Sequence, residues 1–382
     1  MLYCLEINCF GKSKEKENYI VRKYKEKSNR KTETQSKRNG SVRIVGNLKK
    51  QTIRAMLVSV LAGGWNLYRN KKYPLAEGFG LVNKFFVPEQ AASIPLITMG
   101  NHTMRRMRKP EIPPAVRKRM LVIPNDAKEQ LRVTVYEPEQ VSGVLPCLVY
   151  IHGGGFFFEE AWYLHEICTR YAQEANCRVM FVHYRTSDIA PFPAPFKDCC
   201  RALQYVYDNA DMLQIDKTRI AIGGDSAGAA LAGACTLWAR DEAHIPLCFQ
   251  LLIYPVIDSR METESMKKYP DCPFWNSRLN KRMWEIYLRN GDKGTPHYAS
   301  PILSENFAGL PDAYVEVEEF DCLHDEGAAY AKILREAGSS VQLEDVKGTF
   351  HGYDMYENHP LVKEMLARRC AALKKALWDE EV

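Results

Sequence analysis

Residues 219–228 read Arg219-Ile220-Ala221-Ile222-Gly223-Gly224-Asp225-Ser226-Ala227-Gly228. The first five form a short apolar run closed by glycine, which is a strand pattern. The stretch that follows is rich in alanine and predicts a helix over 227–240. A serine held between small residues at a strand-to-helix turn, in the order G-x-S-x-G, is the nucleophile-elbow pattern. The turn is tight, so Gly224 and Gly228 must be small. It lifts the hydroxyl clear of the sheet beside a helix N-terminus, where the helix dipole and unpaired N–H groups favour developing negative charge.

A second glycine loop precedes the first in the chain. His152-Gly153-Gly154-Gly155 follows the continuous apolar strand Leu148–Ile151. Three consecutive glycines let the backbone approach a ligand closely and turn N–H groups toward it. Such a loop is an oxyanion-loop pattern. A serine hydroxyl is a weak nucleophile that needs a base, and the base needs a carboxylate to orient it. The histidines after Ser226 are His244, His297, His324, His351 and His359. His351 stands directly after the strand Val341–Val346, in Gly348-Thr349-Phe350-His351-Gly352, where a loop can reach back over the elbow. For the acid, the strand Ala313–Val317 runs into Glu318-Glu319-Phe320-Asp321-Cys322-Leu323-His324-Asp325-Glu326. Asp321 lies in the loop and is the first choice, with Asp325 the alternative. Asp325 and Glu326 are expected at the start of the helix at 325–337, where they cap it and complement its dipole.

Working outward, strands are expected at Arg119–Ile123, Gln130–Tyr136, Cys177–His183 and Phe249–Tyr254. Leu131, Val133 and Val135 should share one side of the second. Helices are expected near 161–175, 197–210 and 360–377. Strands alternating with helices of this length imply an α/β fold with a mostly parallel central sheet and helices on both faces. Between Pro255 and Ala313 there is no strand signal. A helix at Leu279–Asn290 instead suggests a cap insertion at about 258–290. Residues 55–117 read as N-terminal cap helices broken by prolines, and 118–382 as the catalytic domain.

The 382 residues are 46 % apolar and 26 % charged, ordinary globular usage that excludes a wholly disordered, collagen-like or coiled-coil chain. The net charge of +5 comes from one end. Residues 1–54 carry 15 basic and 5 acidic residues, so the body is mildly acidic. Residues 10–54 hold too few apolar groups to offset the entropy of ordering and are expected to be disordered. Nucleic acid or an acidic surface is a partner only through this basic arm. Twelve cysteines without a C-x-x-C pair or zinc spacing read as buried thiols in a reducing compartment, with no metal. No run approaches the ~20 apolar residues of a membrane span, and no signal-peptide pattern opens the chain, so the expected location is cytoplasmic.

The motifs together resemble the hormone-sensitive-lipase-like branch of the α/β-hydrolases, which includes bacterial carboxylesterases and arylacetamide deacetylases. The matching residues are His152-Gly-Gly-Gly-Phe156, Tyr184-Arg185, Pro191-Phe-Pro-Ala194, Asp198, Gly224-Asp-Ser-Ala-Gly228, Ser300-Pro301, Asp321 with Leu323, Asp325-Glu326 and His351-Gly352. They span about residues 118–360. The resemblance implies an α/β-hydrolase fold with Ser226 as nucleophile, His351 as general base and Asp321 as its orienter. It implies an oxyanion hole from the N–H groups of Gly153, Gly154 and Ala227. The implied activity is hydrolysis of short-chain acyl or aryl esters without metal or organic cofactor. Amide or xenobiotic deacetylation and a non-catalytic small-ligand receptor are the alternatives, and a homodimer is compatible with all of them.

The sequence departs from the family at Thr186-Ser187-Asp188-Ile189, where Leu-Ala-Pro-Glu is usual, at Cys322 for proline and at Ala229 for glycine. Tyr184, Arg185 and Asp198 are expected to form a buried network and a helix N-cap. Phe156, Phe157 and Phe158, with Phe85, Phe86, Phe274, Trp275 and Trp284 from the caps, are expected to narrow the pocket.

Overall fold

A computed structural model describes residues 68–378 apart from 81, 85, 107–110, 125–129 and 141–142. The basic arm, the start of the N-terminal cap and Phe85 lie outside the described residues, as does the boundary expected at 54/55. From Arg69 onward the chain forms one compact unit.

Eight strands make one sheet. They are β1 Val116–Ile123, β2 Leu131–Pro138, β3 Leu145–Ile151, β4 Arg178–His183, β5 Ile215–Asp225, β6 Phe249–Ile253, β7 Asp312–Glu318 and β8 Val341–Val346. Their spatial order is β1-β2-β4-β3-β5-β6-β7-β8. β1 and β2 pair antiparallel, β2 also meets β4 antiparallel, and every pairing from β4 through β8 is parallel. The chain leaves β3 toward β4 on one side and returns to β5 on the other. The C-terminal ends of β3 and β5 therefore flank a topological switch point, where open α/β sheets place their ligands. Ile151 lies opposite Gly224 in that pairing, so the triple-glycine loop and the serine turn emerge side by side.

The helices that matter for the site are α1 Ile94–Arg106, α2 Trp162–Glu174, α3 Ala194–Asp208, α4 Ala227–Trp238, α5 Ser277–Tyr287, α6 His324–Glu336 and α7 Pro360–Trp378. One apolar layer joins α3, α4, α5 and α6 to Val133, Val149, Ile222 and Leu252. The other joins α2 and α7 to Leu148, Tyr150, Phe181 and Leu251. Alternate strand residues feed opposite layers, as the pleat requires. Leu131, Val133 and Val135 share the first layer, as their alternation predicts, and Tyr136 turns into the second.

Several boundaries differ from expectation. β1 begins at Val116, inside the stretch assigned to cap helices, because Pro113 and Pro114 end the irregular segment and the chain can then pair along β2. β5 starts at Ile215 rather than Arg219. Within the 258–290 insertion lie a short helix at Glu264–Lys268 and α5, with no strand. Cys147, Cys168, Cys199, Cys235 and Cys322 are buried thiols. No helix among the described residues is long and apolar enough to cross a membrane.

Candidate active site

Ser226 occupies the turn between β5 and α4 with φ 54° and ψ −120°, a conformation that L-residues rarely adopt. Backbone bonds hold it there. Its N–H donates to Ile253 C=O at 2.8 Å, and its own C=O accepts from Val256 N–H at 3.2 Å. The two motif glycines are sterically obligatory. A Cβ on Gly228 would stand 2.0 Å from Ile151 O, and one on Gly224 2.3 Å from the same oxygen. The turn thus packs flush against the end of β3. Ser226 is buried, only 5 % exposed.

His351 Nε2 lies 2.8 Å from Ser226 Oγ, and His351 Nδ1 lies 2.6 Å from Asp321 Oδ2. Asp321 is itself fixed, because its other oxygen accepts from Leu323 N–H at 3.0 Å. Asp325 is not the partner of His351. It meets His324 Nδ1 at 2.8 Å and accepts from Ser265 N–H at 2.8 Å. Asp325 and Glu326 stand in the first turn of α6, as expected, but neither is its N-cap, which is Leu323. Glu326 is fully buried and accepts from the N–H groups of Ile257 and Asp258, so it ties the loop after β6 to α6. His359 is accounted for elsewhere: it stacks on Phe79 at 4.0 Å and bonds Glu77 C=O.

The triple-glycine loop corrects one expectation. Gly153 N–H donates to Asp225 Oδ1 at 3.0 Å, so it cannot also face an oxyanion. The next two residues differ: neither Gly154 nor Gly155 N–H meets an acceptor among the described residues. Ala227 opens α4, in the first turn, where helix N–H groups lack intrahelical partners. Asp225 also accepts from Tyr150 OH at 2.9 Å. Burial first, and then the charge of Asp354, pushes its carboxyl up to about 7 despite those two donors. His152 shows the opposite effect, burial holding its imidazole down at about 4. Its ring stacks on Tyr184 at 4.3 Å, and Tyr184 OH donates to His152 C=O.

Arg185 and Asp198 form a two-pronged pair, both bonds at 2.7 Å, as the expected network requires. Asp198 is not an N-cap, however; α3 begins four residues earlier, after Pro193. Among the aromatic rings, Phe156 stacks on Tyr287 of α5 at 3.8 Å. Trp275 faces the site. Its ring lies 5.9 Å from that of His351, and a Cβ on Gly155 would stand 2.8 Å from its edge. The ring of Tyr254 also packs on His351, at 4.7 Å.

Residues 148–355 match the family model described as alpha/beta hydrolase fold. The chain belongs to the α/β-hydrolase family. Within it, the esterases of the hormone-sensitive-lipase-like branch are its relatives. Carboxylesterase NlhH of Mycobacterium tuberculosis is 33 % identical over 273 residues, 70 % of this chain and 85 % of that one. Ethyl acetate hydrolase of Pseudomonas putida is 32 % identical and covers 58 % of this chain and 71 % of its own. The solved structure of a bacterial heroin esterase superposes with a TM-score of 0.74 at 32 % identity, over 80 % of this chain and 99 % of that one. This α/β-hydrolase is accordingly a carboxylesterase-type enzyme acting on ester bonds.

Sequence reasoning missed two supports of this α/β-hydrolase site. The Asp225–Gly153 bond joins residues 72 apart in the chain, and only the motif position of Asp225 pointed to it. Arg369, 1 % exposed, is held by Glu316 and Asp354, and Tyr254 OH donates to Asp354 at 2.7 Å. A signal for the second existed. Arg369 falls on the buried stripe of α7 with Val362, Leu366 and Leu373.

Proposed function

We propose that this enzyme hydrolyses short-chain acyl or aryl esters by two-step acyl transfer, with Ser226 as nucleophile, His351 as general base and Asp321 as its orienter. The observation that carries the reading is the continuous chain of contacts Asp321–His351–Ser226, 2.6 Å and 2.8 Å long. Asp321 accepts from Nδ1–H of His351, which leaves Nε2 with its lone pair toward Oγ. Nε2 takes the Ser226 proton as Oγ attacks the ester carbonyl. The tetrahedral oxyanion accepts hydrogen bonds from Gly154, Gly155 and Ala227 N–H. His351 then returns the proton to the departing alcohol, and water repeats the sequence on the acyl-enzyme.

The short-chain preference rests on the roof. Trp275 is 8 % exposed and abuts Gly155, and Phe157 contacts both Trp275 and Phe158. Each methylene that fits contributes up to ~0.8 kcal/mol, but one that meets a wall loses this and adds strain. Relatives named for ethyl acetate, aryl esters and heroin, all bearing small acyl or aryl groups, support the same class.

The test is kcat/KM across p-nitrophenyl esters from acetate to palmitate, with Ser226→Ala in parallel. The maximum is expected at six carbons or fewer, and Ser226→Ala should lower kcat by at least ~10⁴-fold. A variant that keeps a tenth of the activity removes Ser226 from the mechanism. A maximum at ten carbons or more replaces the closed roof with an open acyl tunnel.

A further inference from the structure

The turn that carries Gly154 and Gly155 is not held by the sheet alone. Gly154 has φ +112°, and its C=O accepts from Phe157 N–H at 3.2 Å and from Phe158 N–H at 2.8 Å. The turn is closed tightly on itself, since a Cβ on Gly154 would stand 2.9 Å from Phe158 O. Its exit is pinned from two sides. Phe156 C=O accepts from Ser187 N–H at 2.7 Å, within the catalytic body. The other pin comes from the cap. Asn101, on α1 and 3 % exposed, donates from Nδ2 to Phe157 C=O at 2.9 Å and accepts at Oδ1 from Glu159 N–H at 3.0 Å.

We propose that Asn101 is a positioning residue of the ester hydrolysis: its amide clamps the backbone on both sides of Phe158 and so sets the direction of the Gly154 and Gly155 N–H groups. This rests on the assignment of those two groups as oxyanion donors. A primary amide sets two N–H donors and a carbonyl acceptor in one plane; one donor and the acceptor match the C=O of residue 157 and the N–H of residue 159, and the second donor points to Asp188 Oδ2 at 3.4 Å. The helix is seated closely enough for this. A Cβ on the neighbouring Gly100 would lie 3.2 Å from the ring of Phe158, and Ile97, one turn earlier, is fully buried. Arg105, one turn later, reaches Glu159 from solvent at 2.8 Å. The cap helix therefore reaches the oxyanion turn through a buried amide, and the precision of the N–H pair depends on the cap being seated.

Oxyanion donors act on the transition state rather than on the bound ester, so loosening them lowers kcat and leaves KM. The experiment compares Asn101→Ala and Asn101→Asp with the unaltered enzyme on p-nitrophenyl butyrate. Active sites are counted by stoichiometric organophosphate labelling, and inhibition by an alkyl trifluoromethyl ketone, whose serine adduct carries an oxyanion, is measured alongside. For Asn101→Ala, kcat per labelled site is expected to fall about 10–100-fold with KM within threefold, and the ketone inhibition constant to rise in parallel. Unchanged kcat per labelled site, or a loss confined to KM, overturns the proposal.

If Asn101→Ala does not fold, Asn101→Asp decides. The ionised side chain accepts from Glu159 N–H but has no proton for Phe157 C=O, and Asp188 Oδ2, 3.4 Å from Asn101 Nδ2, favours its protonation, while Arg105, the cation one turn along α1, is already paired with the Glu159 carboxylate. Protonated, it reproduces the amide's donor and acceptor. Its kcat relative to the unaltered enzyme should rise as pH falls; a flat ratio overturns the proposal. Ser226→Ala in the same assay keeps the two readings apart. Persistent turnover there refutes the serine mechanism whatever Asn101 does.

Discussion

The two ends of the catalytic chain are anchored by different physics. Ser226 is fixed by exclusion: Gly224 and Gly228 leave no space between the elbow and Ile151 C=O, so the turn has one way to sit. His351 is fixed by charge at one remove. Behind its ring stands Tyr254, bonded to Asp354, which shares Arg369 with Glu316; Tyr314 and Tyr353 each donate to Glu316 at 2.8 Å. A steric anchor tolerates no added atom. A buried ionic anchor tolerates no missing partner, because the remaining charge has left water without compensation. The nucleophile end should therefore fail through geometry, and the base end through stability.

The largest effect is expected where that contrast is sharpest. Gly228→Ala places a methyl against backbone oxygens of Ile151 and His152 that cannot turn aside. The elbow must shift, and a displacement near 1 Å costs about 100-fold or more in rate. Measured kcat per organophosphate-labelled site should show it. A variant within fivefold of normal would mean the elbow is looser than its packing.

Arg369→Met comes next, on the other end. It leaves Glu316 and Asp354 buried without their cation, and urea unfolding should register a loss of about 3–5 kcal/mol. The kcat of the remaining folded protein should fall less than for Gly228→Ala. The reverse ranking would break the comparison.

A smaller effect tests a buried carboxyl at the nucleophile end. The Asp225 carboxyl is raised to about 7, so the folded chain keeps a proton that the unfolded chain releases. Its contribution to stability is full below the ordinary carboxyl range and is lost as pH rises through about 7. His152, lowered to about 4, contributes in the opposite direction: full above the ordinary imidazole value and lost on acidification toward 4. The two oppose each other in the unaltered protein. Asp225→Asn removes the first and leaves the second. Its stability relative to the unaltered enzyme should fall, by a few kcal/mol in all, as pH is lowered from about 7 to about 4. Parallel stability curves over that range would count against it. The smallest effect is expected from deleting residues 1–50, which hold none of the residues of either anchor. Neither the thermal midpoint nor kcat/KM on a small neutral ester should change.

The sequence was most legible where chemistry demands a local pattern. The elbow, the triple-glycine loop, and Asp321 and His351 after their strands stand within a few residues of a strand end, and the structure brings all of them together at the C-terminal ends of the parallel strands. The alternation of strands and helices disclosed the sheet for the same reason. What stayed hidden depends on distance in sequence. The family resemblance implies Gly153 as an oxyanion donor, and only Asp225 arriving from β5 shows that its N–H is taken. Glu326 is a first-turn acid of α6, as its position in the sequence says, but the two N–H groups it serves lie beyond β6. Asn101 sits in a stretch broken by prolines, whose pattern says helix and nothing about the backbone it meets.

The roof over Ser226 has a consequence for how the molecule is made. Asn276, the N-cap of α5, donates to Val87 C=O, and Arg282 of the same helix donates to Ala92 C=O, across 189 and 190 residues of chain. The early segment leaves the ribosome long before the helix that holds it. At about 5–20 residues per second, that interval is roughly 10–40 s. For that time the nascent chain carries its cap segment without the helix it docks on, and the site cannot close until α5 has been synthesised. A ribosome stalled between these points would hold an esterase with its sheet begun and its roof missing.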